Sequence, residues 1–212
     1  MKTLAFARFD VLFWLPRRQT LLPLVLIVVV GIVLPVPGMA VLTSAVVASM
    51  MISAPFLGDE RGRLETLYGV LPLSRSDVVG GRALAIVVYY LVASVIAVVM
   101  TAVVGVVRGS IVPLELMGVA LAVSFAFIGL AMSVQLPVLF RVGYSRGRLV
   151  AYAPALIVAG VLWLNEATGA FELGGLSFPV PVVLAAGIAL GVMGVVVGAL
   201  LASRAYGRRE LR

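Results

Sequence analysis

Charge is scarce in this chain, at 12% of residues, yet Asp59, Glu60, Arg61, Arg63, Glu65, Arg75, Asp77 and Arg82 all fall between positions 59 and 82. Acids and bases interleave there at spacings that suit ion pairing and docking on another charged surface. Catalysis is a poor fit. The sequence holds no histidine and no cysteine, which removes the usual proton shuttle, the commonest metal ligand and any thiol nucleophile. The acids crowd one segment instead of facing each other across a pocket. Lys2 is the only lysine, so the G-x-x-x-x-G-K-[ST] phosphate loop is absent. No enzyme activity, no cofactor and no metal site are expected of this chain, and any ATP that drives it is bound elsewhere.

The elements that must carry this segment are apolar. Hydrophobic residues make up 63% of the sequence and mean hydropathy is +1.21, whereas soluble domains are about 45–50% apolar. The expected fold class is an all-α membrane protein. At about 20 apolar residues per span, the sequence reads as six transmembrane helices, at 20–36, 39–57, 78–107, 112–140, 149–165 and 178–203. Pro35–Val36–Pro37–Gly38 supplies a tight turn after the first. Residues 1–19 form an N-terminal amphipathic interfacial helix, with Phe6, Phe9, Leu12 and Phe13 beside Lys2, Arg8, Arg17 and Arg18. Residues 20–212 form the transmembrane domain, ending in a basic tail at 204–212. A cleaved secretory signal is not expected, because Arg8, Asp10, Arg17 and Arg18 interrupt the apolar run it would need.

Of the 16 lysines and arginines, Arg108 alone falls on one side of this layout, with Glu115, Glu166 and Glu172. The positive-inside bias makes the other side cytoplasmic, so both termini and the charged segment face the cytoplasm. An odd number of spans would put the C-terminal arginines outside. The charged segment itself cannot span: eight charges at about 2.5 kcal/mol each would cost about 20 kcal/mol at the bilayer centre.

Within it, Leu64, Leu67, Tyr68 and Leu71 recur at i, i+3, i+4, i+7, one face of a helix. Arg61 and Glu65 stand four apart on another face. Pro72 disfavours a helical residue before it. Ser74-x-x-Asp77 then reads as a capping box opening the third span, with Ser76 as a rival cap. An amphipathic helix between two spans can rest on lipid headgroups or dock a cytoplasmic partner. Its mixture of acids and bases, and a length beyond what a simple connection needs, favour docking.

The stretch GDERGRLETLYGVLPLSRSDVVGGR resembles the first cytoplasmic loop of ABC-2 type ABC transporter permeases, especially small six-span permeases of bacterial exporters. Asp59–Glu60, Leu71–Pro72–Leu73–Ser74–Arg75 and Arg82 carry the likeness. The resemblance implies a coupling helix at 59–71, seated in a groove of a separate ATPase subunit. The ATPase-docking residues it implies are Asp59, Glu60, Arg61, Arg63, Leu64, Glu65, Leu67, Tyr68, Leu71 and Arg75. Residues 1–19 look like the elbow helix of the same family. Further implications are two ATPase copies carrying ATP and Mg, a second permease copy as homodimer or similar partner, and a bacterial cytoplasmic membrane.

Arg141, Arg146 and Arg148 form a second cytoplasmic loop suited to the ATPase or to anionic lipid. The basic tail suits lipid better than nucleic acid, because it is tethered at a membrane. The small-xxx-small patterns at Gly187–Gly191 and Gly194–Gly198 allow close helix approach. They fit packing within one subunit better than a dimer face. No ionisable residue falls at a span midplane, which argues against a proton- or ion-coupled carrier; an ATP-independent six-span channel or secondary carrier is the alternative reading. No pocket signature names a substrate.

Overall fold

The computed structural model describes residues 2–14, 18–34, 36, 38–62, 64, 74–110, 112–169 and 179–207. Among the described residues the elements are seven helices: α1 (Lys2–Trp14), α2 (Arg18–Val33), α3 (Met39–Met51), α4 (Ala54–Gly62), α5 (Arg75–Val107), α6 (Leu114–Thr168) and α7 (Val180–Gly207). By length and hydropathy, α3 with α4, α5, α6 and α7 can each cross a bilayer; α1 with α2 passes the same test only as a pair bent by 80°. Four or five crossings are accounted for in this way, against six read from the sequence. The difference lies chiefly in α6, which contains both the fourth and the fifth expected spans.

α6 is not straight. Gly143 has φ 78° and ψ 178°, a backbone conformation that glycine alone adopts at no steric cost. A methyl placed on Gly147 would stand 2.9 Å from Leu139 Cδ2 and 3.9 Å from Leu139 Cα. Eight residues of straight helix would separate them by about 12 Å. The chain therefore folds sharply at Gly143, and the segments on either side pack against each other.

Several predicted boundaries hold for stated reasons. Ser74 caps α5: its hydroxyl accepts from Asp77 N at 3.1 Å, while Asp77 Oδ2 accepts from Ser74 N at 3.3 Å. Gly38 precedes α3 with φ 84°, and Met39 N–H donates to Val36 O at 3.3 Å, closing the expected turn. The second span breaks after Met51 and resumes as α4, which runs to Gly62, past the expected end at Leu57. Asp59 to Gly62 are thus the last turn of α4. Of the expected coupling helix, Arg63 and residues 65–71 lie outside the described residues, as does the tail from 208.

The glycine stripe of α7 packs inside the subunit. Gly187, Gly191, Gly194 and Gly198 are buried, together with Ala202. Methyls on Gly187 and Gly198 would stand 2.7 Å from the carbonyl oxygens of Ala122 and Met132. A methyl on Gly194 would strike the backbone of Gly129, and Gly118 faces Leu184. Positions 118, 122, 129 and 132 meet 184, 187, 194 and 198 in that order, so the first part of α6 and α7 run parallel, backbone to backbone. Small residues permit that approach where lipid offers no hydrophobic drive. Gly194→Leu should force the two helices apart and lower the melting temperature of the detergent-solubilised protein by several degrees. Leucine at Val197, which is exposed, should change it by less than a degree. Equal effects would mean that the close approach does not hold the bundle.

Candidate functional site

The glycine pair Gly80–Gly81 lets α1 lie directly on α5. A methyl on Gly81 would stand 2.8 Å from Thr3 O and 2.7 Å from Phe6 Cδ1. With α1 so close, Arg82 on α5 reaches two acids from two other helices. Its Nε and Nη2 donate to Asp10 Oδ2 and Oδ1, both at 3.1 Å. Its Nη1 and Nη2 donate to Asp59 Oδ2 at 2.5 Å and Oδ1 at 3.3 Å. The guanidinium lies 4.9 Å from the Phe56 ring centroid and 5.9 Å from that of Phe6. Arg82 is 1% exposed, Asp10 2% and Asp59 8%. The planar five-donor fork of arginine makes a double bidentate grip possible; a lysine ammonium could not reproduce it.

Further ties surround this triad. Thr3 Oγ1 donates to Asp77 Oδ1 at 2.7 Å, joining the start of α1 to the start of α5. Glu60, one residue past Asp59, accepts from Ser145 N at 3.0 Å and from Ser145 Oγ at 2.5 Å. Ser145 opens the helical segment beyond Gly143, so a carboxylate satisfies a backbone N–H at a fresh helix start, where the dipole favours an anion. Arg75 Nη1 donates to the carbonyls of Tyr206 (3.0 Å) and Gly207 (2.7 Å), capping the C-terminus of α7 with a cation. Phe140 meets Phe56 edge-on at 4.9 Å and Tyr206 at 5.3 Å. Between them a cavity of about 20 Å³, lined by Asp59, Glu60, Arg82, Gly143 and Tyr206 among others, has room for one water.

Helices α1, α4, α5, α6 and α7 therefore converge at one end of the bundle, and basic residues that include Lys2, Arg61, Arg75, Arg82, Arg141, Arg146, Arg148 and Arg204 lie on the segments that meet there. Arg108 sits at the opposite end, where its Nη2 donates to Ile32 O at 2.5 Å. Of the sequence-predicted docking residues, Asp59, Glu60 and Arg75 hold this end together through the contacts above. Arg61 is exposed, and Leu64 is partly buried against the core. Arg63, Glu65, Leu67, Tyr68 and Leu71 fall outside the described residues. Arg141, Arg146 and Arg148 are all exposed around the Gly143 fold, whose backbone Glu60 engages at Ser145.

Sequence reasoning missed Asp10. It was read only as a break in an apolar stretch. The signal was available: Phe6, Asp10 and Trp14 recur at four-residue intervals, and all three are buried, so an acid stands in the middle of an apolar face and requires a base. Phe9 and Leu12, read as part of the apolar face of an interfacial helix, are exposed, while Phe6 of the same set is buried.

Removing one partner of a buried ion cluster costs about 3–5 kcal/mol, because the others are stranded. Arg82→Ala should therefore abolish or severely lower thermal stability. Arg82→Lys should do so less. Asp10→Asn, which leaves one full Arg82–Asp59 pair, should be mildest. Melting curves in detergent check the ranking, and an Arg82→Ala protein as stable as Asp10→Asn would refute the triad as the tie.

A comparison with known protein families matches residues 12–205 to the one described as ABC-2 family transporter protein. No curated protein matches the chain. The family match runs from the last turn of α1 to the last turn of α7 and takes in Asp59, Glu60, Arg75 and Arg82 of the tied end, with Thr3 and Asp10 before its start. The chain belongs to the ABC-2 transporter family, as a membrane-embedded permease.

Proposed function

We propose that this permease is the membrane-spanning subunit of an ATP-driven exporter in a bacterial cytoplasmic membrane, moved by a separate ABC ATPase that docks on residues 59–71. Membership of the ABC-2 family carries association with an ABC ATPase in general. The observation that carries the coupling role is the position of Asp59 and Glu60. They stand on the last turn of α4, at the entrance to the docking segment: Asp59 holds Arg82 of α5, which in turn holds Asp10 of α1, and Glu60 holds the segment beyond Gly143. A push on that segment reaches three other elements through charge-assisted bonds. Asp59 and Glu60 anchor the docking helix, and Arg61, Leu64 and the residues that follow meet the ATPase.

Six spans fit this reading. The first part of α6 and α7 are parallel neighbours, so the chain must return across the bundle between them. The segment 144–168 is helical and at about 1.5 Å per residue covers about 37 Å, enough to cross a hydrocarbon core of about 30 Å. α1 serves as the interfacial elbow. The tied end, rich in arginine, faces the cytoplasm. Two permease copies and two ATPases, which carry ATP and Mg, complete the transporter, with the substrate path between the copies.

Two experiments test this. The chain lacks cysteine, so single-cysteine variants report topology cleanly. A membrane-impermeant maleimide should label Ser110→Cys and Glu166→Cys on intact cells, and Ser145→Cys only after permeabilisation. Labelling of Ser145→Cys together with Ser110→Cys on intact cells would sink the six-span topology. Gentle extraction of the tagged protein should bring down a stoichiometric chain bearing a Walker A sequence, and Arg61→Glu with Leu67→Asp should lose that chain while still inserting in the membrane. Recovery of a homo-oligomer alone, with ATP present, would overturn the ATPase reading in favour of a gradient-driven carrier or channel.

A further inference from the structure

An apolar groove of about 420 Å³ runs between α5 and α7, with Phe125 of α6 at its floor. Gly80 and Val87 mark its ends on α5, Val192 and Leu200 on α7. The floor is held in place: Phe125 stacks on Tyr90 at 5.9 Å, and the Tyr90 hydroxyl bonds to Ser124 Oγ at 2.6 Å. We propose that this groove seats one acyl chain of an anionic phospholipid from the leaflet at the arginine-rich end. The assignment is independent of ATPase docking.

Length decides between a lipid and a second protein helix. Gly80 to Val87 and Val192 to Leu200 each cover about 10–12 Å at about 1.5 Å per residue. One leaflet contributes about half of a hydrocarbon core of about 30 Å. The groove thus matches one leaflet and is far too short for a helix that crosses both. Depth agrees. Gly80 lies five residues inside the start of α5 and Leu200 seven before the end of α7, so the groove begins roughly 8–10 Å in from the tied end and stops towards the bilayer middle. Lipid chemistry also suits its lining, in which glycine, alanine and valine leave the space and no charged side chain enters it.

Charge at the mouth selects the headgroup. Arg204 follows Leu200 by one turn on the same face and is exposed. On the opposite wall, a methyl on Gly80 would stand 3.1 Å from Thr3 Cγ2, which brings Lys2 and the start of α1 to the same rim. Asp77 is there too, and its carboxylate, which accepts from Thr3 and Ser74, also interacts with Lys2 and offsets that cation. That leaves Arg204 as the cation that selects the headgroup, and at headgroup height it favours a phosphate-bearing lipid of net negative charge by about fivefold.

The test uses the full chain in nanodiscs, with its partner subunits where these co-purify. The probes are phosphatidylglycerol and phosphatidylcholine bearing the same photoreactive diazirine acyl chain. Adducts are mapped by mass spectrometry. The expected result is labelling concentrated on 80–87 and 192–200, several-fold above that at the exposed Leu156 and Ile157, and several-fold stronger from phosphatidylglycerol. Arg204→Gln should erase the headgroup preference yet keep the labelling. Ala199→Phe, which fills the groove, should erase the labelling itself, with Val196→Phe as a second filling variant should the first fail to fold. Uniform labelling of all lipid-facing helices, or equal labelling by the two lipids, would overturn the proposal. So would disulfide cross-linking between copies through Val196→Cys with no lipid adduct in the groove, which would assign it to a second copy.

Discussion

The architecture hangs on one guanidinium. Arg82 is buried at the rim of a membrane domain, where an unpaired cation would be untenable, and two carboxylates from different helices share it. Desolvation makes such a cluster costly to bury and costlier to break, so its contribution lies in geometry. With Arg82 in place, α1 can lie only where Asp10 meets the fork, and α4 can end only where Asp59 does. The aromatic rings of Phe6 and Phe56 flank the guanidinium and exclude water. Every other tie at this end, Thr3 to Asp77, Glu60 to Ser145 and Arg75 to the end of α7, presupposes that placement.

Away from that end, the bundle depends on absence of side chains. Where α6 and α7 run together, carbonyl oxygens and Cα atoms occupy the space a methyl would need. This is packing by backbone contact, the mode available when the surrounding solvent is as apolar as the helices. The two devices divide the molecule. Glycine contacts fix the α6–α7 pair along its length, while charged contacts fix the ends at one face.

How much of this was legible in the sequence follows the range of the interaction. The Ser74–Asp77 cap is local, three residues apart, and could be read directly. The α7 glycines could be read as a packing stripe, because their periodicity is that of a helix face. Their partner on α6 could not, since no residue of α7 names Gly129. The Asp10–Arg82–Asp59 triad joins three distant segments; each residue looked anomalous alone, but only the fold says which anomalies cancel. The fold at Gly143 was read as a loop between two spans, from the arginines around it. In the structure two helical segments meet there with Gly143 alone outside helical geometry, and that positive-φ glycine supplies the reversal that a longer loop would otherwise provide.

The charged segment from 59 to 82 combines two kinds of residue. Asp59, Glu60 and Arg75 are committed to neighbours within the chain, and Arg61 is exposed. An element that relays force needs both kinds. If every charge faced outward, a docked partner would move a loosely attached helix and leave the spans behind. If every charge were satisfied within, nothing would remain for a partner to grip. The alternation is fixed by helix geometry: on the last turn of α4, successive residues point about 100° apart, so Asp59 turns inward to Arg82, Glu60 turns sideways to Ser145, and Arg61 turns out. One turn of helix thereby faces the core, a neighbouring span and the solvent in three consecutive residues. On the proposed reading, that single turn is where motion from the ATPase enters the membrane domain.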